Sequence, residues 1–132
     1  MKATFAGSFY PKEGLGKMVQ QFLVDGKQVN IKGKLRALIV PHAGYIYSGI
    51  VAGAGFKLLK DAKKVILLGP SHQVYLQKAA IATEDFETPL GTVKVGPTKE
   101  WVDKQIVELN DAHLKEHSLE VELPFLQQTL KE

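Results

Sequence analysis

The chain has 132 residues, enough for one domain with a real core and too few for two. It contains no cysteine, which excludes disulfides and thiolate metal sites within it. Its 45% hydrophobic and 23% charged content is that of an ordinary globular domain. The net charge of +3 comes almost wholly from lysines scattered among acidic residues, with Arg36 the single arginine. Specific nucleic-acid recognition, which favours bidentate arginine, is therefore not expected. No apolar stretch approaches the roughly 18 residues that span a bilayer. The start, Met1-Lys2-Ala3-Thr4-Phe5, lacks the apolar core of a secretory signal, so a cytoplasmic protein with no membrane partner is expected.

The segment Phe5-Ala6-Gly7-Ser8-Phe9-Tyr10-Pro11 is aromatic and turn-like, a composition that packs across a domain rather than forming its own element. Leu15, Met18, Val19, Phe22 and Leu23 recur at helical spacing over residues 13–25, and Asp25-Gly26 closes that helix. After a lysine-rich loop, Leu35 to Val40 reads as a buried parallel strand ended by Pro41. A second helix is expected from Ser48, as N-cap, to Lys60. Its glycines and alanines weaken helix propensity but let it lie close on a sheet. Lys64 to Leu68 is the second expected strand, which makes a right-handed βαβ unit.

Residues 79–83 suggest a short third strand. Thr88-Pro89-Leu90-Gly91 is a turn leading into the alternating run Thr92 to Val95. Residues 98–109 place Trp101, Val102, Ile106 and Leu109 on one helical stripe, and a last helix is expected over 118–130, kinked at Pro124. Its stripe is Leu119, Leu123, Leu126 and Leu130, and Glu120 and Glu122 suit the positive end of its dipole. Two buried strands are few for a doubly wound sheet, so from spacing alone the chain reads as part of a larger domain or assembly.

The chemistry centres on His42 and His72, each just past one of the two apolar runs. Ligands of open α/β sheets bind beyond the carboxyl ends of strands, and neutral imidazole is the commonest metal ligand. Two histidines with a carboxylate and open positions suit non-haem iron, and three protein ligands with one open position suit zinc. The plainer reading makes each a loop histidine bonded to a carbonyl. His113 and His117 have the i, i+4 spacing of a chelating pair but lack the glutamate after the first, which argues against zinc. His117, at a helix entry, is placed for general acid or base work, or for capping alone. Tyr45, Tyr47 and Tyr75 either line a pocket or simply pack with wet hydroxyls. The glycine loops 44–49 and 69–72 match no phosphate-binding fingerprint, and no nucleotide cofactor is expected. Glu84, Asp85, Glu87, Glu120 and Glu122 are all candidates for a carboxylate ligand, and spacing selects none.

Several segments in order then resemble one family: Ala6 to Pro11; Val40-Pro41-His42-Ala43-Gly44-Tyr45-Ile46-Tyr47-Ser48-Gly49; Leu68-Gly69-Pro70-Ser71-His72; Thr88-Pro89-Leu90-Gly91; and Glu116-His117-Ser118-Leu119-Glu120-Val121-Glu122-Leu123-Pro124-Phe125. The sequence is similar to the Memo family, also called the AmmeMemoRadiSam system protein B group, along essentially its whole length. The resemblance implies a three-layer α/β/α fold with a mostly parallel, doubly wound sheet, like LigB-type class III extradiol dioxygenases. On that basis residues 1–132 are expected to be a partial domain, the N-terminal half of a Memo-like domain. His42 and His72 match the family's two N-terminal metal-site histidines. His117 falls in a signature segment near the cleft and is assigned a catalytic role, and Tyr45, Tyr47 and Ser71 are assigned to substrate.

Iron is the first expectation for the metal, with copper or zinc as alternatives. The family's third ligand, often a cysteine, and its nearby Asp/His pair lie in a second half that this sequence lacks. Gln73 stands where many relatives carry a second histidine, and Glu122 replaces a frequent Gln or His. The implied activity is a dioxygenase-like oxidation, absent from this chain alone. The alternatives are a binding module for a phosphotyrosine peptide or a radical-SAM-system protein, or a half-domain that completes itself with a C-terminal half or as a homo-oligomer.

Overall fold

A computed structural model describes residues 1–59 and 62–130. They form an α/β arrangement of four helices with one parallel and one antiparallel two-stranded sheet. No helix among them is long and apolar enough to cross a membrane.

Helix α1, Leu15–Asp25, buries Leu15 and Val19 and closes where the Gly26 N–H donates to the Phe22 carbonyl. Helix α2 spans Tyr45–Phe56 and passes into a 3-10 turn over Lys57–Leu59. The expected end at Lys60 lies outside the described residues. The N-cap lies four residues earlier than expected. Gly44 is the N-cap, and Ser48 instead turns its hydroxyl back to donate to the Ala43 carbonyl at 2.9 Å, a bond that serine makes inside a helix. The small residues permit close approach, but to α1 and to the unpaired run before Pro41 rather than to a sheet. A Cβ at Gly49 or Gly53 would collide with Phe22 of α1, and one at Gly55 would lie 2.6 Å from Val40 Cγ1.

Helix α2 thus wedges between α1 and the run Leu35 to Val40. That run and Lys64 to Leu68 carry no assigned strand and pair with no other backbone among the described residues, which corrects the expected βαβ unit. Their side chains still alternate: Leu38, Val40 and Leu67 are half-buried, whereas Ile39, Ile66 and Leu68 are 98%, 65% and 87% exposed. An apolar run signals what a strand buries, not which strand lies beside it.

Strand β1, Ala79–Ile81, pairs in parallel with β4, Ile106–Glu108, with Ala80 opposite Val107. Strand β2, Phe86–Thr88, pairs antiparallel with β3, Gly91–Val93. Gly91 adopts φ 119°, which a side chain would strain, and the Thr88 hydroxyl oxygen accepts from the Leu90 N–H across the turn. The helix expected over 98–109 is absent: a 3-10 turn at Lys99–Trp101 precedes β4. Asp103 explains the change. Its carboxylate accepts from the N–H groups of Gln105 and Ile106, a local turn that competes with helix, and β-branched Ile106 and Val107 then enter the ladder.

The last expected helix is broken. Helix α3 is His117–Glu120 and α4 is Leu123–Thr129, with Pro124 in the first turn of α4 rather than at a kink, since proline is pre-set for that position. Val121, Leu123, Phe125 and Leu126 fill the core against α1 and α2. Phe125 stacks on Phe56 with ring centroids 5.0 Å apart.

Candidate metal centre

His42 sits between Pro41 and the first turn of α2, His72 follows the Gly69-Pro70-Ser71 turn, and His117 opens α3. From three separate segments they converge: each offers a ligand atom within 4.8 Å of the others. The rings of His72 and His117 stack at 4.7 Å and 19°, and His42 lies 5.4 Å and 5.7 Å from them, centroid to centroid. The three could together hold a metal ion, with nitrogen–metal bonds of about 2.0–2.1 Å. A purely imidazole set suits zinc, copper or iron rather than magnesium or calcium.

Glu116 lies beneath the cluster and is 5% exposed. Its carboxylate accepts from the His72 N–H at 2.5 Å, from His72 Nδ1 at 2.9 Å and from the Ser118 N–H at 2.9 Å; His117 Nδ1 stands 3.4 Å away. Burial pushes this carboxyl up, but the bonds from His72 and Ser118 outweigh it and hold it down at about 2. An ionised carboxylate only accepts, so His72 carries its proton on Nδ1 and its free lone pair on Nε2. For His117, burial lowers the pKa, and the neighbouring His72 and His42 add to the effect against the pull of Glu116. The neutral, ligand-competent ring is favoured.

The aromatic N-terminal segment does pack across the domain. Phe9 lies on the His117 ring at 4.4 Å and Phe5 flanks it at 5.7 Å, walling one side of the cluster with hydrocarbon. Glu120, 4% exposed, pins this segment: it accepts from the N–H of Thr4 and of Phe5 and from the Tyr10 hydroxyl at 2.6 Å. The Met1 ammonium docks on the Asp85 carbonyl.

The other site candidates are dispersed. Tyr45 is buried at 3% exposure and its hydroxyl donates to the Val121 carbonyl, so it stands in the core. Tyr47 is 81% exposed on the outer side of α2. The Ser71 hydroxyl donates to the Val74 carbonyl, and Ser71 and Tyr75 line an open depression that does not include His72. His113 is apart from the cluster, edge-on to Phe86, so the i, i+4 pair does not assemble. None of the carboxylate candidates reaches the three histidines. Asp85 instead pairs with Lys94, whose hydrogen bond lowers its pKa, and Glu84 meets Asn110. Sequence reasoning passed over Glu116. Its signal was an acidic residue directly ahead of His117, at the N-cap of a helix that begins with a candidate ligand.

A family model described as "Memo-like protein" matches residues 1–132. A MEMO1 family protein of Aquifex aeolicus is 44% identical over 128 residues, covering 92% of this chain and 47% of the relative. One from Archaeoglobus fulgidus is 40% identical over 126 residues, again with 92% and 47% coverage. One from Nitrosopumilus maritimus is 35% identical over 144 residues, with 99% and 52% coverage. The chain spans about half the length of the curated relatives it matches. The family model matches all 132 residues, and the chain belongs to the Memo-like protein family.

Proposed function

We propose that this chain supplies a three-histidine site for a borderline divalent metal, with His42 and His72 as two ligands and His117 as the third nitrogen. One observation carries the reading: three histidines from distant segments bring a ligand atom each within 4.8 Å of one another. When bound, such a metal supplies Lewis-acid or redox chemistry at its open positions, as in the non-haem iron extradiol dioxygenases that the family resembles. This chain's own residues do the rest. Glu116 holds the His72 proton at Nδ1, and Phe5 and Phe9 keep water from the His117 side. His117 is the acid or base group only in a form in which it leaves the metal.

The test is equilibrium dialysis of the protein against Fe(II), Cu(II) or Zn(II), beside His42→Ala/His72→Ala and His117→Ala. One tightly held ion per chain in the parent, lost in the double variant, is expected. Equal metal content in parent and double variant refutes the site. Loss in His117→Ala marks that residue as a ligand, whereas retained metal returns it to a purely acid–base role.

A second reading concerns the fold and rests on the bare apolar face of Ile39, Ile66 and Leu68. We infer that this face is covered when the three-layer α/β/α domain is complete, by a complementing half or a second copy. Light scattering decides it: a monomer at all concentrations, unchanged by Ile39→Lys, contradicts association of copies.

A further inference from the structure

We propose that Glu116 is the positioning residue of the histidine cluster: one buried carboxylate holds the ring and backbone of His72, with the His117 ring 3.4 Å away, so that Nε2 is the lone pair the His72 ring offers. The inference rests on the reading of the cluster as a metal site.

Glu116 occupies a position that a cap alone does not require. An N-cap needs one acceptor for one helical N–H, and the Ser118 N–H supplies that partner. Glu116 spends its remaining capacity 44 residues away, on both the backbone and the side chain of His72. The loop that carries His72 is tied to the same turn a second time. The Ser118 hydroxyl donates to the Pro70 carbonyl at 2.8 Å, and a Cβ on Gly69 would lie 2.6 Å from Ser118 Oγ. The loop therefore lies flush on the start of α3, and the rings of His72 and His117 stack as a consequence.

The chemistry requires an acceptor at both oxygens. A carboxylate accepts from the His72 N–H, the His72 ring and the Ser118 N–H with no donor of its own. An amide of the same shape has one acceptor and one donor. Wherever its NH₂ turns, it either opposes the His72 N–H or forces the His72 ring to accept at Nδ1, which moves the ring proton to Nε2 and removes the lone pair meant for the metal. Histidine ligands whose other nitrogen is held by a carboxylate are oriented in this way, and loss of the partner weakens metal binding by about 10–100-fold.

The test uses the full chain, zinc(II) alone as the probe, and two readouts. The His72 tautomer is read from ¹⁵N ring shifts in metal-free protein at a pH above the histidine range, and zinc affinity from competition with a chelator. The variants are Glu116→Gln, and Glu116→Ser, which keeps an N-cap acceptor but does not reach His72. Expected are an Nδ1–H tautomer in the parent, its loss in Glu116→Ser, and about 10–100-fold weaker zinc in both variants. An unchanged tautomer with parental zinc affinity in both variants overturns the proposal. If neither variant folds, the parent decides: an Nε2–H tautomer of His72 overturns it. If the parent binds no zinc, the metal reading fails, while the tautomer measurement still judges the role of Glu116.

Discussion

Three glutamates in the stretch 116–122 are 5%, 4% and 3% exposed, while Ile39, Ile66 and Leu68 in the two apolar runs are 98%, 65% and 87% exposed. Hydrophobicity alone orders these residues the other way. The stretch 116–126 meets its partners within the chain. Glu116 collects the donors of His72 and Ser118, Glu120 collects those of Thr4, Phe5 and Tyr10, and Phe125 fills the space against Phe56 and Tyr45. The runs have a partner on one side only, where α2 presses its glycine surface against Leu38 and Val40. For Glu116 and Glu120 burial follows the supply of partners, and a carboxylate with three donors goes where an isoleucine without neighbours does not; among the described residues Glu122 is buried without them.

The largest effect that sharpens this contrast is expected from Phe125→Ala, which empties a site 1% exposed between stacked rings. A loss of about 3–5 kcal/mol in urea unfolding is expected. Next is Glu120→Ala, which leaves the N–H groups of Thr4 and Phe5 and the Tyr10 hydroxyl without their acceptor. About 3 kcal/mol is expected, with amide exchange at residues 4–10 accelerated before that of α1. Uniform acceleration along the chain would break the assignment of Glu120 as a local clamp.

Glu122 gives an effect with a defined sign that depends on pH. Its Oε2 has no partner among the described residues, and burial pushes its carboxyl up to about 8. The unfolded chain releases that proton near the ordinary carboxylate value of about 4.3. Between these values the folded state holds a proton that the unfolded state has lost. Stability therefore falls as pH rises, by at most about 1.4 kcal/mol per pH unit. Glu122→Gln is expected to remove that falling limb, so its urea midpoint gains on the parent between about pH 5 and pH 8. A constant gap between the two proteins refutes it. The smallest effect is expected at the bare face: Ile39→Ser with Ile66→Ser changes the stability of the chain by no more than about 0.5 kcal/mol. A loss above about 2 kcal/mol would mean that these side chains are buried in solution.

Much of this contrast was legible residue by residue. The periodicity of Leu15, Val19 and Phe22 located α1, and the glycines of α2 foretold a close approach that Gly53 and Gly55 make real. His42 and His72 stood out through their flanks, and the structure brings His117 to them. The helix expected over 98–109 failed because a stripe of apolar residues also fits a turn followed by a strand, and the decisive group was the side chain of Asp103. The runs at 35–40 and 64–68 read as strands because strand-like composition is local, whereas a ladder needs a second backbone. Glu116 escaped notice for the same reason: its partner His72 is 44 residues away.

The clamp at Glu120 also imposes an order in time. Thr4 waits for an acceptor 116 residues downstream, which at ordinary elongation rates is roughly ten seconds of synthesis. Helix α1 and the loop of His42 are out of the ribosome before then, and the contacts of Phe5 and Phe9 with His117 form only once α3 is made. The hydrocarbon wall of the cluster thus forms only after α3 is made, although its own residues precede α1.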